Sequence, residues 1–279
     1  MDLKTGYPKL PLIIILLLSL TTFSTNNIAA PKIWDKLTFK AEKFGLTAHA
    51  TVQLTTLPTE SLAMQLAWPQ NHSGLSTTQA ELSRLELSAS FAGRKIHYTT
   101  LLELGSGKVL QSIRERRDEK KTYRFTKEGV LQIKEKQEQQ HSKLVSLPLQ
   151  NEPPLTQPIY LFYFISASEH LQHIGDRIDI AVYSNKSIHT ITLSVIDELR
   201  YATRYTLNQE TPSDKNRHVT ALKITVTSPS AVELAGLKGS LTFYLEKNTR
   251  LPLELQGSIE LIGRIRYILQ TARLAIMEN

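Results

Sequence analysis

The chain has 279 residues, of which 41% are hydrophobic, and this length accommodates one large β domain or two small domains. It contains no cysteine, which excludes disulfide bonds, thiol catalysis, cysteine-bound metals and a lipid-modified cysteine. The formal net charge is +7, and the basic excess concentrates in residues 108–143, where eleven Lys and Arg stand against six Asp and Glu. Such a region is typical of contacts with nucleic acid or anionic lipid, but the interleaved acids favour a solvated hairpin.

Residues 1–29 are predicted to be a signal peptide. Lys4 and Lys9 precede an apolar run at residues 10–20, and small and polar residues follow it. This run is too short for a helix that crosses a bilayer, which needs roughly 20 residues. An uncleaved inner-membrane anchor is the alternative. Both interpretations place the body of the protein in the periplasm, so we expect no nucleic-acid partner.

The first half of the body alternates apolar and polar residues, as antiparallel strands do. The alternation predicts a hairpin, a pair of longer strands, a charged hairpin and two short strands, at residues 37–54, 82–104, 108–126 and 130–149 respectively. Residues 148–158 then contain four prolines, which fit neither a helix interior nor a central strand. We interpret this segment as a crossing within a single β domain over residues 32–279, with a boundary between two domains as the alternative.

Residues 157–174 predict an amphipathic helix that begins near Pro158 and ends before Gly175. Its aromatic residues allow two interpretations: they face a ligand, or they pack the helix against the open side of a β-sheet. After Gly175 the β pattern continues, with a turn at Asn185 and Lys186 and a closing strand at residues 262–274. The aromatic residues in question are Tyr160, Phe162, Tyr163 and Phe164.

Motifs for catalysis and cofactor binding are missing from the sequence. It has no G-x-S-x-G, no G-x-G-x-x-G and no P-loop. His170 and His173 would share one helix face, but a metal site needs a third ligand, so we expect no metal and no cofactor. Asp197 and Glu198 are adjacent in a predicted strand and would point to opposite faces unless a bulge intervenes. We therefore expect a protein that is not an enzyme, with an envelope hydrolase as the least favoured hypothesis.

Several segments resemble an exported bacterial family catalogued as domain of unknown function 3108. LTFKAEKFGLTAHATVQL is similar to the opening hairpin of that family, and SIRERRDEKKTYRFTKEGVLQI to its charged middle section. QPIYLFYFI resembles its helix, with Gln157 in place of an Asp, and TFYLEKNTRLPLEL resembles its last meander, with Asn248 where an Asp is common. The resemblance covers residues 36–274 and implies a mainly antiparallel β domain of the periplasm or envelope. It brings no catalytic residues.

These observations predict a mainly β fold: a single strongly curved antiparallel sheet or half-open barrel, with one amphipathic helix packed against it. The leading functional hypothesis is a periplasmic protein that binds an apolar or lipid-like ligand, facing Tyr160, Phe162, Tyr163 and Phe164. The alternative is an assembly factor that docks a partner protein or an anionic membrane surface through the basic hairpin, residues 108–126, with Arg114, Arg116 and Arg117 as docking residues. The sequence leaves the identity of ligand or partner and the oligomeric state open.

Overall fold

The computed structural model describes residues 33–58, 66, 77, 81–91, 93–136, 139–146, 155–208, 217–229, 232–260 and 262–275. The predicted signal peptide and most of the proline-rich crossing lie outside these residues. In the part of the chain that is described, no helix has the length and apolar character needed to cross a membrane.

Eight strands form an antiparallel meander in the first half of the chain. Each strand pairs with the next one, so that the spatial order follows the sequence from β1 to β8. The charged hairpin predicted at residues 108–126 is confirmed as β5 and β6, which are joined at Arg117 and Asp118. The strands are β1 (Trp34–Lys43), β2 (Leu46–Pro58), β3 (Glu81–Phe91), β4 (Arg94–Leu102), β5 (Val109–Arg116), β6 (Glu119–Phe125), β7 (Gly129–Lys136) and β8 (Gln139–Ser146).

The second half adds six longer strands and two short ones to the same sheet. The spatial order continues from β1 through β16, β15, β14, β12 and β10 to β9. The closing strand is therefore paired with β1 in the middle of the sheet. These strands are β9 (Arg177–Ser184), β10 (Ser187–Thr203), β11 (Thr206–Leu207), β12 (Arg217–Thr227), β13 (Glu233–Leu234), β14 (Leu237–Glu246), β15 (Pro252–Ile259) and β16 (Gly263–Leu274).

The sheet is strongly curved but is not closed into a barrel. Strand β11 follows β10 directly and yet pairs with β16, although β12, β14 and β15 lie between them in the sheet. The chain after Thr203 must therefore cross three strands, which a flat sheet would not allow over so few residues. Register shifts, including one between Val195 and Asp197, add the local twist and bending that bulges give. The predicted mainly β fold is confirmed.

The helix is shorter than the sequence predicted. A 3₁₀ turn at Pro158–Tyr160 leads into α1 (Leu161–Ala167), whereas the prediction extended to residue 174. Ser168 leaves the helical conformation, and the guanidinium of Arg250 donates hydrogen bonds to the carbonyl groups at this end. The prediction was wrong because apolar residues after Ser168 continued the helical spacing, while the capping group comes from a turn far away in the sequence.

The same loop changes the placement of the two histidines that were predicted to share a helix face. His170 and His173 lie after α1, in an irregular segment, and both are exposed. The backbone N–H groups of Gln172 and His173 donate to Oδ2 of Asp176, each at 2.8 Å. These hydrogen bonds lower the pKa of the Asp176 carboxyl.

The core lies between the concave face of the sheet and α1. The ring of Phe162 packs against Phe39 of β1 and Phe243 of β14, with centroid distances of 5.7 and 5.6 Å. Nε1 of Trp34 donates to Oγ of Ser166 at 3.2 Å, which ties the helix to β1. The helix thus fills the space that the curvature of the sheet creates, as the packing interpretation of its aromatic residues requires.

Candidate ligand-binding cleft

A cleft of about 360 Å³ lies where the two halves of the sheet approach each other. One wall is the inner face of β3–β7, and the other is the β9–β10 turn together with β13 and the start of β14. Gln157, Pro158 and Ile159 also line it, just before α1. This volume falls at the lower end of the range of about 300–1,000 Å³ that is common for small-molecule sites.

The register of the strands builds the first wall. Tyr98 pairs with Leu87 on one side and with Arg114 on the other, and Arg114 pairs with Lys121. Directly opposed residues in a sheet point to the same face, so the side chains form one row across four strands. Tyr123 lies two residues beyond Lys121 and therefore shares this face. Leu87, Tyr98 and Tyr123 thus form an apolar and aromatic surface next to the cations Arg114 and Lys121.

The second wall depends on a tight turn. Asn185 and Lys186 both have positive φ, at 47° and 67°, as a two-residue hairpin turn requires, and this confirms the predicted turn. The turn brings Tyr183 and Lys186 into the cleft lining, opposite Tyr123. Thr156 forms a parallel bridge with Val182, and this contact holds the segment before α1 against the edge of β9.

Two buried polar atoms in the lining lack a hydrogen-bond partner within the described chain. They are Oη of Tyr183, a residue only 2% exposed, and Nε2 of Gln157. The ring of Tyr183 is fixed by Tyr123 and Phe125, with centroid distances of 5.8 and 5.7 Å. Leaving such a group unsatisfied costs roughly 1–3 kcal/mol, so each case needs an explanation. Both residues belong to the lining of the cleft.

The tyrosines of the cleft are neutral at physiological pH. Burial raises the pKa of Tyr183 to about 12, and burial together with nearby Glu233 raises the pKa of Tyr98 to about 12. Burial also raises the pKa of Tyr123. Neutral phenols donate hydrogen bonds and present apolar ring faces, so this surface suits a molecule with an apolar part.

Cations outnumber acids in the lining. Arg114, Lys121, Lys186 and Lys238 line the cleft, and the only carboxylate among the described lining residues is Glu233. Glu233 is already engaged, since Nη2 of Arg116 lies 2.7 Å from its Oε1. The cleft is therefore positively charged.

The aromatic residues of the helix, which the sequence analysis considered as a ligand surface, lie away from the cleft. Tyr160, Phe162 and Tyr163 are buried in the core and Phe164 is half-buried, and none of the four lines the cleft. The hydroxyl of Tyr160 donates to the carbonyl oxygen of Leu104 at 2.9 Å. The helix aromatics therefore serve to pack the core, and the Tyr160 hydroxyl has a backbone partner.

The three arginines of the basic hairpin have different surroundings. Arg114 lines the cleft, Arg116 is held by Glu233, and Arg117 is exposed at the β5–β6 turn with φ of 43°. The structure therefore brings Arg114 and Arg116 to the cleft region but leaves Arg117 in solvent.

The remaining candidates for chemistry lie away from the cleft. Asp197 is exposed, and Oε2 of Glu198 accepts a hydrogen bond from Nζ of Lys247 at 2.7 Å. Within the described ranges, no three His, Asp or Glu side chains lie close enough to hold a metal ion.

Sequence reasoning missed Tyr183, Gln157 and Glu233. Tyr183 precedes a turn in an alternating strand, and Gln157 precedes the helix, so each reads as an ordinary structural position. One local pattern could have drawn attention to Tyr183: this aromatic residue lies two positions before the predicted turn at Asn185 and Lys186. Their convergence depends on contacts between segments that are distant in sequence.

No family model matches the chain, and no curated protein matches it. Among solved structures, the chain is similar to a β-barrel-like protein of domain of unknown function 1849 from Brucella abortus, with 8% sequence identity and a TM-score of 0.49. The match covers 89% of this chain and 100% of the other. The resemblance to domain of unknown function 3108 stays a prediction.

Proposed function

We propose that this protein is a non-enzymatic binding protein of the bacterial envelope that holds a lipid-like molecule in the cleft. The observation that carries the proposal is the pair of unsatisfied buried donors, Oη of Tyr183 and Nε2 of Gln157, in the lining of one cleft. A bound molecule with an acceptor oxygen satisfies both donors and removes the cost of burying them.

The lining supports a ligand with an apolar part. Leu87, Ile159 and Leu234, with the rings of Tyr98 and Tyr123, form the apolar part of a lining that is polar over most of its area. Such a surface gains from covering a chain or ring, because apolar area leaves water on binding. The location in the envelope rests on the predicted signal peptide, residues 1–29, and on the resemblance stated above.

The test is mass spectrometry of an organic extract from protein that is purified natively from the periplasm. We expect a lipid-like molecule in stoichiometric amount from the wild type and a reduced amount from Tyr183→Phe. The matched control is Tyr267→Phe, which removes a hydroxyl from a buried tyrosine of β16 outside the cleft.

The outcomes separate the proposal from a structural role. An extract without any bound molecule from the wild type would overturn the proposal. Equal retention by Tyr183→Phe and wild type would show that this hydroxyl contributes nothing to binding. Recovery of the protein in the cytoplasmic fraction would remove the location in the envelope.

A further inference from the structure

We propose that the ligand of the cleft is an amphiphile with an anionic oxygen head group, phosphate or carboxylate, which binds to an inner row of cations. The inner row is Arg114, Lys121 and Lys134, on β5, β6 and β7. This inference rests on the proposed function, because it assigns the head group of the same ligand.

The register places the three cations side by side. Arg114 pairs with Lys121, and Lys121 pairs with Lys134, so all three project from the same face. Neighbouring strands are about 4.8 Å apart, and the row therefore spans roughly 10 Å. Arg114 and Lys121 line the cleft, and Lys134 continues the row beyond it.

The opposite face of the same three strands is arranged differently. There Lys120 lies between Glu115 and Glu135 in the pairing, and its Nζ is 3.5 Å from Oε2 of Glu135. Opposite charges thus alternate in this outer row, as they do in the neighbouring row of the inner face formed by Arg116, Glu119 and Lys136, whereas three like charges are opposed in the inner row. Like charges directly across a strand pair destabilise a sheet. The inner row is consequently poor for the stability of the free protein and suited to an anion.

One carboxylate partly compensates the inner row. Glu119 lies 2.8 Å from Nζ of Lys121 and 3.0 Å from Nζ of Lys134. Hydrogen bonds from these two lysines lower the pKa of Glu119 to about 2, so it is ionised at neutral pH. Arg114 has no ion pair among the described residues. It is adjacent to Tyr98 and Tyr123 in the lining and is the cation best placed to contact a head group.

The row Leu87, Tyr98, Arg114 and Lys121 thus places an apolar part of the site beside a charged part. An apolar chain covers Leu87 and the rings of Tyr98 and Tyr123, while the anionic oxygens of the head group contact Arg114 and Lys121. Charge-assisted hydrogen bonds from Arg and Lys to anionic oxygens are stronger than neutral ones, so the head group supplies much of the selectivity.

Calorimetric titration with three probes tests this assignment: dodecyl phosphate, dodecyl dimethylamine oxide and inorganic phosphate, with both amphiphiles below micelle formation. We expect dodecyl phosphate to bind about tenfold or more tightly than the neutral amine oxide, as one charged hydrogen bond provides. High salt is expected to reduce this preference. Arg114→Gln and Lys121→Gln are expected to abolish most of it.

Two further variants control for folding and for net charge. Lys120→Gln removes the same charge from the same strand on the outer face and is expected to keep the preference. Glu119→Gln removes the competing carboxylate, and dodecyl phosphate is expected to bind more tightly. An increase of affinity cannot come from partial unfolding, so this variant keeps the inference testable if Arg114→Gln folds poorly.

The outcomes distinguish the inference from the proposed function. Equal affinity for both amphiphiles would overturn the anionic head group and leave the cleft as a lipid site. Binding of neither amphiphile would overturn both. Inorganic phosphate that binds as tightly as dodecyl phosphate would make the row a site for a free anion and would overturn the amphiphile.

Discussion

Arg116 and Glu233 join the two halves of the sheet beside the cleft. Nη2 of Arg116, at the end of β5, lies 2.7 Å from Oε1 of Glu233, on β13. The two residues are 117 positions apart in the sequence, and among the described strands the two halves of the sheet pair with each other through β1 and β16. This ion pair adds to the backbone hydrogen bonds by which Leu155 and Thr156 link Val109 of β5 to Ala181 and Tyr183 of β9.

We predict a favourable coupling between these two side chains of about 0.5–1 kcal/mol, because the pair is only partly exposed, at 39% and 21%. The measurement is a double-mutant cycle with Arg116→Gln and Glu233→Gln in urea unfolding. The control is the pair of Lys238 and Glu260, which is 48% and 76% exposed and is expected to give almost no coupling. Equal coupling energies for the two pairs would contradict the prediction.

Tyr183→Phe is expected to leave the stability of the ligand-free protein unchanged or to raise it by up to about 1 kcal/mol. The substitution removes a buried hydroxyl without a partner in the described chain and keeps the ring between Tyr123 and Phe125. Thermal unfolding of ligand-free protein measures this. A clear loss of stability would mean that the hydroxyl has a structural role and would weaken the argument for the cleft.

Arg250→Gln is expected to lower the free energy of unfolding by about 2–4 kcal/mol. The guanidinium donates to the carbonyl oxygens of Ile165, Ser166, Ser168 and Leu171 at 2.9–3.2 Å, and these groups lose their donor. Urea unfolding provides the measurement. The control, Arg200→Gln, changes an exposed arginine of β10 and is expected to shift stability by less than about 0.5 kcal/mol. A similar small shift for Arg250→Gln would mean that water replaces the cap without cost.

Acid sensitivity is expected to depend on Glu254, a fully buried carboxyl on β15. Burial alone would raise its pKa, but hydrogen bonds from Arg266, Tyr201 and Gln256 outweigh burial and lower the pKa below the ordinary 4.5. A depressed pKa in the folded state gives stability that is present above about 4.5 and is lost as pH falls through the lowered value.

Melting temperatures of wild type and Glu254→Gln between neutral and acid pH test this. We expect the variant to be less stable at neutral pH and to lose less stability on acidification than the wild type. Parallel curves for the two proteins would show that other carboxyls govern the acid transition.

Local patterns in the sequence were sufficient for most of the sheet. The turn at Asn185 and Lys186 could be predicted because Asn tolerates positive φ and alternating residues flank it. The charged hairpin could be predicted for the same reason, since strands and turn are adjacent in the chain. The length of α1 could not, because the residue that caps its end, Arg250, comes from the β14–β15 turn.

The cleft could not be predicted because its parts come from separate segments. Arg114 was identified from the concentration of positive charge, but the sequence did not indicate which face it occupies. Only the register of β4–β7 shows that Arg114 and Lys121 share a face with Tyr98. The helix aromatics were the more conspicuous pattern, and the curved sheet buries them in the core.

The position of β16 has a consequence for the order of folding. β16 pairs with β1 in the centre of the sheet, from Trp34 opposite Leu274 to Lys40 opposite Ile268, so the middle of the sheet joins residues from opposite ends of the described chain. The first eight strands pair in chain order, mostly across short turns and with residues 59–80 as the longest connection, but the β1–β16 pair must close a loop of almost the whole domain. Until β16 pairs with it, β1 has an open edge, and an open edge is a template for pairing with other chains.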